Sequence, residues 1–327
     1  MLQDSKGQKL SWNAGFNSFF DNTEFAGSEY KIPQTMAGVR FAPGFGLRWD
    51  SLFRINAGVD MLHEFGSKSF IDKADPIAFF SYEKTNLRFK MGAFPREGTL
   101  DNYPRIFFQD SLYFYRPNVN GIFSELRRNN NYLNVWLDWT GRRAVDVREA
   151  FFVGMSGKYS MDMFYIRHFG YYYHFFITSD PADNEALHDN SVFLTSLGAD
   201  LSGKSIMDKL DINFGWVASF ERSRGENTGW IGRNGFLSEL RAEYGFIGIF
   251  NTIYVGKGLM NFYNDHSNEL YWGDPAYRSS SYDRADLYLT FFRKKKIDFK
   301  LIYSLNFMEG NLYNEQLLKI GIDLEGR

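Results

Sequence analysis

The residue types that carry catalytic and metal chemistry are sparse in this chain of 327 residues. Cysteine is absent, which excludes disulfides, thiolate nucleophiles and Cys-ligated metals. The five histidines show no metal-ligand spacing. His266 and Ser267 are adjacent, and on an extended segment their side chains point opposite ways and cannot form a nucleophile–base pair. The sequence therefore predicts neither an enzyme nor a resident cofactor.

One metal hypothesis stays open in segment 259–281. This segment combines acidic and amide side chains such as Asn261, Asp265, Glu269 and Asp274. Carboxylate and amide oxygens are ligands that Ca²⁺ prefers, although the diagnostic spacing of a calcium loop is missing. A Ca²⁺ site in this segment is the alternative to a chain without metals.

Segment 96–119 places aromatic rings beside charged and amide side chains. A flat ring packs against the C–H face of a sugar while polar groups hold its hydroxyls, so one interpretation is a sugar-binding surface. The other is that the rings anchor the segment against a surrounding wall. The candidate residues are Arg105, Phe107, Phe108, Asp110, Tyr113, Tyr115 and Arg116.

These residues must be positioned by strands, because apolar residues recur at every second position along nearly the whole chain. Leu10, Trp12, Ala14 and Phe16 alternate with small or polar residues, which is the period of a β-strand. About sixteen stretches of this kind are joined by alternately short and long connections. Short polar turns include 49–51 and 157–160; the long connections lie near 21–34, 64–75, 96–119, 174–190, 222–234 and 258–281.

Composition favours a membrane barrel over other classes. Aromatic residues make up 19% of the chain and charged residues 23%, while mean hydropathy is only -0.37. No apolar run approaches the roughly 18–20 residues of a spanning helix. The net charge of -2 gives no field that would attract nucleic acid. Residues 1–6 lack the apolar run of a signal peptide. Because an outer-membrane protein must be exported, we expect that the sequence begins at a mature or re-engineered start.

The expected fold is all-β: one transmembrane antiparallel up-and-down barrel of about sixteen strands (14–18), occupying residues 1–327 as a single domain. Short turns would face the periplasm and long loops the exterior. Charged residues opposite the apolar face must point inward, because a cation facing lipid at mid-bilayer costs roughly 2–4 kcal/mol.

The inward charges divide by position along the chain. The early strands carry a basic wall of Arg40, Arg48, Arg54, Arg88 and Lys90. The later strands carry a predominantly acidic wall of Asp211, Glu239, Glu243, Asp286, Asp298 and Asp323. Opposed walls would create a transverse field that orients charged solutes. A mixed-charge, water-filled lumen without such selectivity is the alternative.

Over its whole length the chain resembles the sixteen-stranded bacterial outer-membrane porins. In that family the third external loop folds into the barrel and narrows the channel, and here the third external loop is Arg96–Val119. The short Pro-Glu-Phe-Gly-Gly signature of the general porins is missing from it. The resemblance implies an outer-membrane location among lipid and lipopolysaccharide, often as a homotrimer. It also implies passive diffusion of small hydrophilic solutes, and the more specific form of this hypothesis is selective uptake of oligosaccharides.

A rival hypothesis is compatible with the same pattern of barrel strands. A plugged barrel could serve as a scaffold subunit in an outer-membrane assembly, with its long aromatic loops as docking surfaces for envelope-complex partners. Tyr, Trp and Arg are typical of such interfaces. The sequence does not separate the two hypotheses.

Overall fold

The computed structural model describes residues 8–142, 149–176, 187–294 and 296–326. Within them lie sixteen strands, the number expected from the sequence. They are β1 Lys9–Glu24, β2 Gln34–Trp49, β3 Phe53–Glu64, β4 Lys73–Lys84, β5 Leu87–Pro95, β6 Asn118–Arg128, β7 Asn131–Gly141, β8 Ala150–Met161, β9 Phe164–Phe176, β10 Leu187–Asp200, β11 Lys209–Ser223, β12 Ile231–Tyr244, β13 Ile247–Gly256, β14 Ser281–Lys294, β15 Ile297–Met308 and β16 Asn311–Gly326.

The strands form one closed barrel. Each strand pairs antiparallel with its neighbours in sequence, and β1 pairs with β16 to complete the ring. The closure register matches Phe16 with Ile322 and Gly15 with Asp323. A closed ring leaves no edge strand, so the backbone N–H and C=O groups of the wall hydrogen-bond to one another.

Alternation along the strands divides the wall into two faces. On β2, Phe41, Phe45 and Leu47 are exposed on the outside. At alternate positions, Arg40, Gly44 and Gly46 are buried on the inside. A ring of exposed aromatic and aliphatic side chains on the outer face is the surface expected of a barrel in lipid. The protein is therefore an outer-membrane β-barrel.

Most connections follow the expected alternation of short turns and long loops, but the periplasmic connection 201–208 is long and the external connection 309–310 is short. Here the first, third and seventh external loops mean residues 25–33, 96–117 and 257–280. Two short helices lie in these loops: α1 Leu112–Tyr115 in the third and α2 Tyr263–Leu270 in the seventh. The expected loop near 174–190 falls largely on 177–186, outside the described residues, as does the start of the chain at 1–7. In the described ranges, no helix has the length and apolarity needed to cross a bilayer.

One expected turn is wrong. The polar residues 157–160 predicted a turn, but β8 continues to Met161 and pairs with β9 as far as Phe164. The turn falls at Asp162–Met163, where Asp162 adopts a positive φ of 53°. Asn131 accepts a hydrogen bond from the backbone N–H of Ser160, which holds this polar stretch in the sheet.

We predict that an arginine is tolerated on one face of β1 and not on the other. Phe16→Arg places a cation on the lipid-facing side near mid-strand and should lower the free energy of unfolding by roughly 2–4 kcal/mol. Gly15→Arg places the same cation in the lumen opposite Asp323 and should cost little. Denaturant unfolding of the refolded barrels measures both, and equal losses would contradict the assignment of the two faces.

Candidate functional site

The third external loop folds into the lumen and is fastened at its base by Arg96. The Arg96 side chain is fully buried, and its Nη2 donates to Asp138 Oδ2 of β7 at 2.5 Å. Its guanidinium also lies 5.4 Å from the ring centroids of Phe108 and Trp272. A buried cation is tolerated because it is paired with a carboxylate and packed against aromatic faces.

The aromatic residues of the third loop pack on the barrel wall. Tyr103 Oη donates to the Met155 carbonyl oxygen at 2.9 Å and accepts from Trp136 Nε1 at 2.7 Å. Phe107 and Phe108 are buried at 0% and 2% exposure. Their partners on the wall include Trp136, Phe152, Phe169 and Tyr171. The faces that a sugar would need on Phe107 and Phe108 are therefore covered by the wall, as in the anchoring interpretation.

The tip of the third loop is held by an ion network. Arg105 contacts Asp110 of its own loop and Asp286 of β14, each at 2.8 Å. Arg284, next to Asp286 on the same face of β14, lies 3.7 Å from Asp110. Burial acts to raise the pKa of Asp110, but Arg105, Lys319 and Arg284 hold it well below its usual range.

The seventh loop enters the lumen beside the third. The backbone N–H of Asp274 donates to the Arg105 carbonyl oxygen, and that of Gln109 donates to the Trp272 carbonyl oxygen, both at 2.8 Å. Tyr271 Oη donates to Glu221 Oε2 of β11 at 2.7 Å. These backbone and side-chain bonds join the two loops to each other and to the wall.

A residue of the first loop completes the network. Lys31 Nζ lies 3.1 Å from Asp274 Oδ2 and 3.6 Å from Glu315 Oε2 of β16. Burial acts to lower the pKa of Lys31, but Asp274 and Glu315 raise it overall. Arg284 Nη1 contacts Glu315 at 3.1 Å. We call the residues that bind the three loops to the wall the luminal ion network: Lys31, Arg105, Asp110, Asp274, Arg284, Asp286 and Glu315.

The early basic residues lie on the inner face with partners of their own. Arg40 binds Asp60 and the Phe114 carbonyl oxygen. Arg88 lies 3.3 Å from Glu125. The remaining cations are bound to hydroxyl or carbonyl oxygens: Lys90 to Thr99, Arg54 to Ser11 and Arg48 to Ser51.

The later acidic residues also have nearby donors. Glu239 binds Arg167, Asp211 accepts from Tyr165 at 2.7 Å and Glu243 accepts from Tyr288 at 2.8 Å. Arg40 and Arg88 are thus paired with carboxylates on neighbouring strands, and Glu239 with an arginine three strands away, so part of the field of two uniform walls is compensated locally. An effect of the remaining field on selectivity stays a prediction.

The remaining residues of the third loop support its fold inside the lumen. Tyr113 donates to the Leu100 carbonyl oxygen at 3.3 Å. Tyr115 donates to Glu64 Oε1 at 2.7 Å, and Arg116 lies 4.6 Å from the Trp272 ring. Phe114 stacks on Phe19 of β1 at 4.1 Å.

Below the third loop, the periplasmic half of the lumen contains a cavity of about 960 Å³. Arg105, Asp110 and Tyr113 bound it from above. The strand residues that line it carry both signs of charge; they include Lys158, Lys209, Asp211, Glu239, Arg241, Asp298, Lys300, Lys319 and Asp323. The external half of the lumen is filled by the two loops and the buried side chains around them.

The sequence analysis did not identify several residues that build this site. Arg284 and Glu315 share the inward parity of their strands and could have been found by it. The packing of Trp272 and Asp274 against the third loop had no sequence signal, because it joins residues more than 150 positions apart. The segment around His266 forms α2 rather than an extended strand, with the His266 ring 4.2 Å from that of His188.

The calcium hypothesis for segment 259–281 stays a prediction. In the part of the chain that the structure describes, no group of three or more His, Cys, Asp or Glu side chains could hold a metal. Asp274, one of the expected ligands, is bound to Lys31.

We predict that Arg105→Ala loosens both luminal loops. Loss of the guanidinium leaves buried Asp110 and Asp286 short of a partner, which is destabilising. Hydrogen–deuterium exchange of residues 104–116 and 272–276 should rise at least about tenfold, equivalent to ~1.4 kcal/mol. Arg48→Ala, which removes an exposed arginine at the periplasmic rim, is the matched control. Unchanged exchange in Arg105→Ala would show that the network does not hold the loops.

Comparison with known proteins identifies both the architecture and the family. The solved structures that share the fold include opdK of Pseudomonas aeruginosa (TM-score 0.53, 10% identity, 97% of this chain and 99% of that chain). They also include a triple mutant of the Rhodopseudomonas blastica porin (0.54, 11%, 97% and 100%) and Pseudomonas aeruginosa OccK2 in complex with glucuronate (0.53, 11%, 98% and 98%). At this identity the likeness concerns the fold. No curated protein matches the sequence significantly. The profile described as lipid A 3'-O-deacylase-type matches residues 2–318, and the chain therefore belongs to the lipid A 3'-O-deacylase-type family.

Proposed function

We propose that this barrel is a narrow passive channel for small hydrophilic solutes. The observation that carries the proposal is the charged cavity of about 960 Å³ inside the barrel, directly beneath the third loop. Water-filled lumens with charged linings and an infolded loop select solutes by width and charge. The luminal ion network holds the third and seventh loops in the external half, so the conducting path is narrow unless these loops move.

Small charged solutes fit the lining of this cavity best. Arg241, Lys300 and Lys319 offer donors to carboxylates, and Asp298 and Asp323 offer acceptors to cations and hydroxyls. Glucuronate, bound in the OccK2 structure, combines these two chemistries. A more specific form of the proposal is passage of oligosaccharides. The cavity is also lined by aromatic rings that could stack on pyranose rings: Tyr113, Tyr132 and Phe250.

The plugged-scaffold hypothesis is favoured by one observation. Buried side chains of the third and seventh loops fill the external half of the lumen. A barrel closed in this way would not conduct, and its function would lie in contacts with envelope partners. Electrical recording separates this hypothesis from the channel.

We predict opposite selectivity shifts from two matched pairs of substitutions in the cavity. Lys300→Gln with Lys319→Gln should move the reversal potential in a salt gradient toward cation preference. Asp298→Asn with Asp323→Asn should move it toward anions by a similar amount. Planar-bilayer recording of the purified barrels makes the measurement. Current that is insensitive to both pairs would mean that ions bypass this cavity, and stable insertion without current would favour the scaffold.

A second candidate function is hydrolysis of an acyl ester of lipid A, the activity in the family's description. One observation favours it: His174 Nδ1 lies 3.1 Å from Asp189 Oδ1, which is the base–orienter half of a hydrolytic triad. Among the described residues, no serine or threonine hydroxyl is hydrogen-bonded to His174. Because the nucleophile is missing from that part of the site, the channel remains the better-supported function.

We predict that lipid A incubated with the purified barrel keeps its mass. Loss of one acyl chain in the wild-type reaction, abolished by His174→Ala, would overturn this ranking in favour of the hydrolase. Mass spectrometry of the extracted lipid provides the measurement. A reaction with heat-denatured barrel supplies the background.

A further inference from the structure

A groove lies on the outer, lipid-facing wall near the periplasmic ends of β6, β7, β8 and β9. Its volume is about 550 Å³, and the apolar residues that line it include Leu126, Leu133 and Ile166. All three side chains are exposed. Glu125 and Asn134, one position away on β6 and β7, are buried on the luminal face. The groove therefore opens to the membrane and not to the lumen.

Gly157 of β8 forms the floor of the groove. The register places it between Leu133 of β7 and His168 of β9, on the same face of the sheet. A Cβ atom added at Gly157 would lie 3.2 Å from the Tyr132 carbonyl oxygen and 3.3 Å from Leu133 Cδ1. Because glycine has no side chain, the backbone of the sheet is uncovered there and a ligand can approach it closely. The gap is wide enough for an acyl chain only while position 157 stays small.

Two arginines lie at the periplasmic end of the groove. Arg127 and Arg128 line it at the turn between β6 and β7, and both side chains are exposed. Arg127 Nε donates to the Thr85 carbonyl oxygen at 3.4 Å. Within the described ranges, neither guanidinium forms an ion pair with a carboxylate, and Glu125 of the same strand binds Arg88 instead. Two uncompensated guanidinium groups match a phosphate, because each binds it through two parallel N–H donors.

His168 adds a polar group between the two arginines and the membrane centre. Its Nδ1 lies 2.9 Å from Thr195 Oγ1 of β10. The register puts Arg128 opposite Asn131, whereas His168 is in line with Leu133, two residues further along β7. An imidazole N–H is a donor that matches an ester carbonyl oxygen. From the rim inward the wall thus offers guanidinium, imidazole and aliphatic surface, the order in which a phospholipid carries its phosphate, esters and acyl chains.

We propose that this groove binds one anionic glycerophospholipid of the periplasmic leaflet. Arg127 and Arg128 bind its phosphate, His168 lies beside its ester groups, and one acyl chain lies over Gly157. The headgroup is anionic because a zwitterionic one would bring its ammonium group next to two guanidinium cations. A soluble anion would use only the arginines, and a neutral lipid only the apolar floor. The proposal does not depend on whether the barrel conducts.

The first test measures binding of phosphatidylglycerol to the full-length barrel in detergent by native mass spectrometry. One phosphatidylglycerol should bind at least tenfold more tightly than phosphatidylethanolamine. Arg127→Gln with Arg128→Gln should weaken phosphatidylglycerol binding at least tenfold. Arg48→Gln with Lys204→Gln, which removes two exposed cations from other periplasmic connections, should leave it within twofold.

The apolar part of the groove is tested with both arginines in place. Gly157→Leu fills the floor and should weaken phosphatidylglycerol binding at least tenfold. Ala285→Leu, which adds a larger side chain to the face of β14 opposite the buried Arg284 and Asp286, should leave it within twofold. Heat-modifiable gel mobility verifies folding. If Gly157→Leu does not fold, Leu133→Trp covers the groove from an exposed position and should give the same loss.

Three results would overturn the proposal. Equal affinity for the two lipids, or wild-type affinity in the arginine and groove variants, would mean that lipid surrounds this wall without a specific site. Displacement of phosphatidylglycerol by millimolar inorganic phosphate would indicate a soluble-anion site at the arginines. A dimer of barrels that Gly157→Leu dissociates would mean that the groove is occupied by a second copy of the chain.

Discussion

The closed ring of backbone hydrogen bonds is the constraint on which the rest of this structure depends. Lipid offers no partner to an N–H or C=O group, so the pairing of β1 with β16 is what allows the chain to cross the membrane as strands. Once the ring is closed, side chains can point only to lipid or to the lumen. The apolar residues face the lipid, and the charged residues are concentrated in the lumen. There each charge has to be stabilised by water or by an opposite charge.

That concentration explains why the luminal ion network forms. Arg284 and Asp286 sit two residues apart on the inner face of β14, and the infolded third loop supplies Arg105 and Asp110 to them. Aromatic packing also holds the third loop to the wall, since Tyr103 and Phe108 pack on inward-pointing rings of the strands. The external half of the lumen resembles a hydrophobic core, whereas the periplasmic half keeps a charged cavity. The loops thus fill one half of the lumen, and the cavity occupies the other half.

The ion cluster around Asp189 lies at the external ends of β9, β10 and β11, where charge on the outer wall costs least. A cation facing lipid costs roughly 2–4 kcal/mol at the bilayer midplane and about 0–1 kcal/mol near the interface. Arg222 and Arg224 lie at the external rim and Asp189 compensates part of their charge, so the wall tolerates them there. The description of the family names an activity on lipid A, and the fold of this chain is shared with porins. This chain carries charged side chains both in its lumen and at its outer rim.

The sequence by itself determined the fold class, the strand number and the face on which Arg40, Arg88, Asp211 or Asp286 lies. The reason is that alternation is a local property of a strand: successive side chains point to opposite faces, apolar ones to lipid and charged ones to water. It also indicated that segment 96–119 would enter the barrel, through the resemblance to porins. It left open whether Phe107 and Phe108 would stack on a sugar or pack on the wall. It did not indicate that Asp274 of the seventh loop would bind Lys31 of the first, or that Asp189 would bind two arginines and a histidine. These contacts join loops or strands brought together by closure of the ring. Only the tertiary structure decides them, since the partner of a side chain across a lumen or across three strands is not encoded in its own sequence neighbourhood.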